Sequence, residues 1–174
     1  MKAYFKTYLV LTMLSVLSCN DDSVTPQKLP DPSIVGLWNG VDIGFSGNSL
    51  IFEQNLDQPV NLISVGYDED FTFNIQEDPN QLVIEGFYGA LCTLSDSEST
   101  QDYMIPGNTI GGESLWSKIG DLFVIEFQGE ITVFVIDVLT EVNLVISAVV
   151  PFEQLLIPMD LHGDVLLTIE FERM

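Results

Sequence analysis

The sequence predicts an all-β domain, and three observations carry that prediction. Valine, isoleucine, leucine and phenylalanine recur through the second half of the chain, residue types that favour sheet over helix. Turn signals arrive at short intervals: Gly44, Gly47 and Asn48, then Glu77-Asp78-Pro79-Asn80, Gln128-Gly129 and His162-Gly163-Asp164. Between them lie apolar runs of strand length. The cleanest is Phe71-Thr72-Phe73-Asn74-Ile75-Gln76, whose three apolar side chains share one face. Short strands joined by turns at regular spacing fit a barrel or a sandwich, and periodicity does not choose between them.

The first 32 residues read as export and tethering. Met1–Lys6 carries two lysines, Thr7–Leu17 is apolar, and the small Ser18 precedes Cys19, the pattern of a secretory signal over residues 1–18. The apolar run is too short to span a bilayer. Asn20–Pro32 contains Pro26, Pro30 and Pro32 and has no periodicity, so residues 19–32 are expected to form an extended, solvated tether. At about 3.3 Å per residue it reaches roughly 40 Å.

Residues 33–174 make up the expected domain. The predicted strands are Ile34–Phe45, Leu50–Gln54, Val60–Val65, Phe71–Gln76, Leu82–Phe87, Leu122–Gln128, Ile131–Val138, Glu141–Val150 and Val165–Glu172, with Leu155–Ile157 a short extra piece. Phe71–Phe87 and Leu122–Val138 read as hairpins. The strands of the Leu122–Val138 hairpin are apolar on both faces, as in a sheet covered on both sides or a barrel with an apolar lumen. Ser95–Gly112, polar and then rich in glycine, reads as one long loop, of the kind that is either a lid or an excursion.

The charge balance limits the partners. Five basic residues face 26 acidic ones, a net charge of −21. Loss of Lys2 and Lys6 with the leader would leave three cations against 26 acids, or −23. Such a surface repels phosphate backbones, so nucleic acid is excluded as a partner. A monomer with a well-solvated surface is expected.

Val16-Leu17-Ser18-Cys19 resembles the lipobox of bacterial lipoproteins, with Val16 where leucine is preferred. The resemblance implies cleavage before Cys19, acylation of that residue with chains such as palmitate, and a membrane partner reached through the lipid. Two or three chains at about 0.8 kcal/mol per methylene hold a protein on a membrane almost irreversibly. With Cys19 consumed in this way, Cys92 is a lone thiol in an apolar setting, a small core residue rather than a reactive one. Asn20-Asp21-Asp22-Ser23 looks like the surface-export signal of Bacteroidetes-type lipoproteins, implying the cell-surface side of the outer membrane. Asp22-Ser23-Val24 is similar to the O-glycosylation sequon of that group, which would make Ser23 the modified residue.

Gly36-Leu37-Trp38, near the start of a strand-only domain, looks like the Gly-x-Trp signature of the lipocalin and fatty-acid-binding families. There the tryptophan plugs the closed end of an antiparallel barrel and an arginine from the last strand packs across it. The only arginine in this chain is Arg173, directly after Leu167–Glu172. The resemblance therefore implies a single up-and-down β-barrel of about eight strands, closed by Trp38 and Arg173, with a β-sandwich as the alternative. The disulfides of those families are absent.

No pattern of catalysis stands out. His162 is the only histidine; with Asp160 and Asp164 it would make a poor zinc site, and a turn histidine beside Gly163 is the simpler reading. Asp68-Glu69-Asp70, Glu77-Asp78 and Asp96 with Glu98 lack the spacing of calcium loops. No nucleophile elbow or phosphate-cradling loop occurs, so no enzyme, cofactor or metal is expected. The expected function is that of an envelope lipoprotein holding a small apolar or amphipathic ligand in its barrel. The alternative is a non-enzymatic surface module of sandwich form that contacts protein or polysaccharide.

Overall fold

The computed structural model describes residues 31–53, 56–94, 100–107, 112–155, 157 and 161–174. Cys19, Ser23, the leader and most of the tether lie outside the described residues, as do Gln54, Asp96, Glu98 and Asp160. Among the described residues ten strands follow in order: β1 (Gly36–Glu53), β2 (Leu56–Gln76), β3 (Gln81–Leu94), β4 (Thr100–Pro106), β5 (Glu113–Ile119), β6 (Leu122–Phe127), β7 (Glu130–Leu139), β8 (Asn143–Pro151), β9 (Leu161–His162) and β10 (Asp164–Arg173). A 3-10 turn, Phe152–Leu155, leaves β8.

Every pairing among these strands is antiparallel, and the sheet closes into a ring through β1, β2, β3, β5, β6, β7, β8 and β10, with β10 returning to β1. The closure rules out two separate packed sheets. The ring is uneven. β2 and β3 pair along most of their length, whereas β3 meets β5 only through Gln81–Val83 against Glu113–Leu115. β4 pairs with the upper part of β3, and the Tyr67 hydroxyl on β2 donates to Asp102 on β4 across it. β9 adds a short rung to β1.

The strands hold together because alternate residues fill the ring. Trp38, Phe71, Phe73, Tyr88, Phe123, Phe134 and Ile169 expose nothing to solvent. The largest aromatic cluster joins three strands: Phe73 lies 4.5 Å from Phe171, and Phe71 lies 5.7 Å from Phe171 and 5.8 Å from Tyr88. Such tilted and edge-on rings add to the roughly 1.5–3 kcal/mol that each large apolar side chain gains by burial. Where the β1–β2 ladder shifts between Asn39 and Ser46, the buried Ser64 hydroxyl accepts the Phe45 N–H at 2.8 Å, so the break leaves no orphan donor there.

The two predicted hairpins form. Gln128 and Gly129 both take positive φ, 53° and 87°, the two-residue turn whose twist matches the flanking strands. Several boundaries differ from expectation. Ile34–Phe45 and Leu50–Gln54 merge into β1, and Val60–Val65 with Phe71–Gln76 into β2. Gly44, Gly47 and Asn48 are therefore strand residues, paired with Thr168, Leu62 and Asn61; the neighbouring strands supply the ladder that their weak propensity does not. Ser95–Gly112 is not one loop, because Thr100–Pro106 adds to β3 as β4. The expected short strand at Leu155–Ile157 does not form: Leu155 ends the 3-10 turn and Ile157 pairs with no strand. His162 closes β9 opposite Leu50, one residue before the bend at Gly163.

Gly86 marks the tightest backbone approach. Its φ is +95°, and a Cβ there would lie 1.8 Å from the Asp70 carbonyl oxygen, beside the bulge between Tyr67 and Asp70. Gly86→Ala is expected to lower the unfolding free energy by roughly 2–4 kcal/mol, from backbone strain plus overpacking. A urea titration measures it; a loss below about 1 kcal/mol would mean that the bulge yields freely.

Candidate functional site

Sequence and fold leave four places where function could reside: the two ends of the ring, its interior and its outer wall. At one end the first and last strands meet. Trp38 and Arg173 are direct cross-strand partners, and the guanidinium carbon sits 4.2 Å from the indole centroid. Arg173 Nη1 donates to the Val35 carbonyl at 3.0 Å and Nη2 to the Ser33 carbonyl. The indole N–H donates to the Ile34 carbonyl at 2.8 Å. Gly36, at φ +147°, is the residue that leaves room, since a Cβ there would come within 2.7 Å of Nη1. The Trp38 and Arg173 side chains thus close this end with the indole N–H and both guanidinium Nη groups turned to backbone and Arg173 Nε buried without a partner, an arrangement that suits a structural plug.

At the other end the chain passes from β8 to β10. Phe152, Leu155 and Ile157 are buried there, and the Phe152 ring meets Phe45 edge-on at 6.3 Å. The Phe152 N–H donates to the Gly163 carbonyl at 2.8 Å. Glu153 and His162 Nδ1 stand 2.6 Å apart, joining this cap to β9. The Glu153 carboxyl is held below its usual range, first by its own backbone N–H and then by the His162 ring. Among the described residues, Phe152, Leu155 and Ile157 are thus buried where a carrier's mouth would open. The only histidine in the sequence serves that cap.

Among the described residues the interior contains no reactive group. Cys92 is buried among apolar side chains, and its thiol is pushed up to about 12, chiefly by burial and then by the charge of Asp102. Around the middle of the ring the described side chains pack closely. A void of ligand size would leave part of its lining accessible to water, whereas Leu62, Tyr88, Phe134, Leu144 and Ile146 are at zero exposure and Ala90 and Cys92 at 1%. Among the described residues no three histidine, cysteine or carboxylate groups gather as a metal would need.

The outer wall is the unexpected part. Strands β5, β6 and β7 put apolar side chains outward as well as inward: Leu115 is 58% exposed, Ile131 65%, Val133 46% and Val135 45%. Two adjoining depressions lie on this wall. One, of about 300 Å³, is lined by Gln81, Glu113, Ser114, Leu115, Glu126, Gln128 and Gly129. Its neighbour, of about 140 Å³, adds Trp116, Ser117, Val124 and Ile131. Of this wall only β5 gave no strand signal in the sequence, because it alternates against the usual sense, with Ser114 buried and Leu115 exposed.

Two outcomes test these assignments. The thiol of folded Cys92 should stay unmodified by an alkylating reagent at pH 8 and react on unfolding. Because its folded value is raised, stability should fall as pH climbs from about 9 towards 12, where the unfolded chain alone loses the proton. Rapid labelling of the native thiol would place Cys92 at an opening. Because the Glu153 value is lowered on folding, the cap contact should be complete above the usual carboxylate range and fail as pH falls through the folded value. Protection of the Phe152 amide, its hydrogen-exchange rate relative to the unstructured rate at the same pH, should fall over that window, and Glu153→Gln should remove that change.

Compared with known proteins, the chain matches no family model, no characterised protein and no solved structure.

Proposed function

We propose that this chain is a lipid-anchored protein of the bacterial cell envelope, displayed on the outer membrane, whose barrel is a filled, non-enzymatic scaffold that meets another macromolecule through its outer wall. The anchor is read from the leader and Cys19, surface display from Asp21-Asp22, and modification of Ser23 from the sequon around it. The contrast between inside and outside carries the functional reading. The interior is occupied by the protein's own aromatic side chains, while the wall keeps large aliphatic side chains in water beside carboxylates. Contiguous exposed apolar surface marks an interaction site more often than it is neutral. The Gly36-x-Trp38 and Arg173 arrangement, similar to that of lipocalins, would then serve rigidity.

A second reading, carriage of a small apolar molecule, has one observation in its favour. The cap over the mouth includes a 3-10 turn whose Glu153 meets His162 of β9 at the surface, and its displacement would uncover the interior at Phe45 and Phe152.

In the native host, a palmitate analogue should label the wild type and not Cys19→Ala, which should leave the membrane fraction. A photo-crosslinking residue at position 133 should give an adduct of macromolecular size on intact cells, and one at position 172 should not. Absence of any adduct from position 133, together with a small apolar molecule released on denaturation, would replace this reading with carriage.

A further inference from the structure

The outer-wall depressions have a definite chemistry, and they narrow the partner. Gln81, Leu115, Glu126 and Ile131 are successive cross-strand partners on β3, β5, β6 and β7, so they form one row on one face. That face is the outer one, because the intervening Ser114, Trp116 and Ile125 are buried. Ser117, Val124 and Val133 make the next row. Glu113 stands two residues before Leu115 on β5, diagonal to Glu126 at about 7–8 Å between backbones. The surface is thus an aliphatic groove with two carboxylates at one end and the side-chain amides of Gln81 and Gln128 on its rim.

We infer that this groove binds an extended, basic segment of a partner protein, in which lysine or arginine alternates with valine, isoleucine or leucine. The inference rests on the macromolecular-contact reading above. Charge complementarity selects the occupant. Carboxylates beside a large aliphatic surface disfavour an acidic or neutral polar polymer, since burial would leave Glu113 and Glu126 unpaired. A second copy of this chain does not fit. It carries a charge of −21, and beyond Lys6 its cations are only Lys28, Lys118 and Arg173, each isolated in sequence and the last already engaged by Trp38. An extended segment presents every second side chain to the same side at the spacing of the strand rows, so cations would reach the carboxylates while aliphatic residues cover Leu115, Val124 and Ile131. The depression of about 300 Å³ has room for a long cationic side chain laid along its aliphatic stem.

The test is a titration of the purified full-length chain with a short synthetic peptide alternating lysine with valine and isoleucine. Two companion peptides carry glutamate for lysine or serine for the aliphatic residues. The basic aliphatic peptide should bind, more weakly as salt is raised, and both companions should fail. Glu113→Gln with Glu126→Gln should weaken binding about tenfold or more, and Ile131→Ser likewise. Asp42→Asn with Glu170→Gln removes the same charge from a cross-strand pair on β1 and β10, and Val65→Ser removes an exposed aliphatic side chain on another wall; neither should matter. Equal weakening by the distant charge pair would reduce the effect to net charge and overturn the proposal. So would full binding by the groove variants, or no binding at all. A position-133 adduct that persists in the groove variants on cells would retain the macromolecular contact while removing the groove from it.

Discussion

Arg173 over Trp38 is the contact on which the closed ring depends. A sheet becomes a ring only if its first and last strands meet in a fixed register, and β1 and β10 are the two ends of the domain in sequence. The Trp38–Arg173 pair sets that register where the chain would otherwise fray. The guanidinium is held by two carbonyls upstream of β1 and by the indole face, and the indole N–H is satisfied by Ile34. A cation on an aromatic face contributes about 0.5–2 kcal/mol, and lysine could not supply the planar fork that reaches both Ser33 and Val35. Gly36 is the matching constraint on the other side, since only a residue without a Cβ clears Nη1.

The closure sets the division of labour in the molecule. Among the described residues the ring holds buried aromatic side chains from β1, β2, β3, β6, β7 and β10, and Phe152, Leu155 and Ile157 are buried at the far end. A packed interior gains dispersion and burial energy and gives up the space a carrier needs. The remaining apolar residues on β5, β6 and β7 face water, in a protein whose acidity already gives it ample solubility. Leu115, Ile131, Val133 and Val135 are among the apolar side chains that the outer face leaves in water, as are Val65 on β2 and Val149 on β8.

Much of the fold was legible in sequence because its signals are local. Phe71–Gln76 alternates cleanly, Gln128-Gly129 is a hairpin turn, and Trp38 and Arg173 stand at the two ends of the strand-forming region. What was not legible depends on partners distant in sequence. Gly44, Gly47 and Asn48 look like a turn until Thr168, Leu62 and Asn61 are brought beside them. β4 has few apolar side chains and exists because β3 and the Tyr67–Asp102 bond hold it. β5 inverts the usual alternation. The double-sided apolar character of β6 and β7 was visible in sequence, but whether it meant cover by a second layer or exposure to a partner depended on the structure.

A barrel filled by its own side chains has only its wall left to act through. A native-conditions mass spectrum of the chain purified gently from its own host tests this most directly. The expected mass is that of the polypeptide with its anchor and any glycan, with nothing that leaves on denaturation. A stoichiometric apolar molecule released on denaturation would contradict it and would mean that the interior opens to take a ligand.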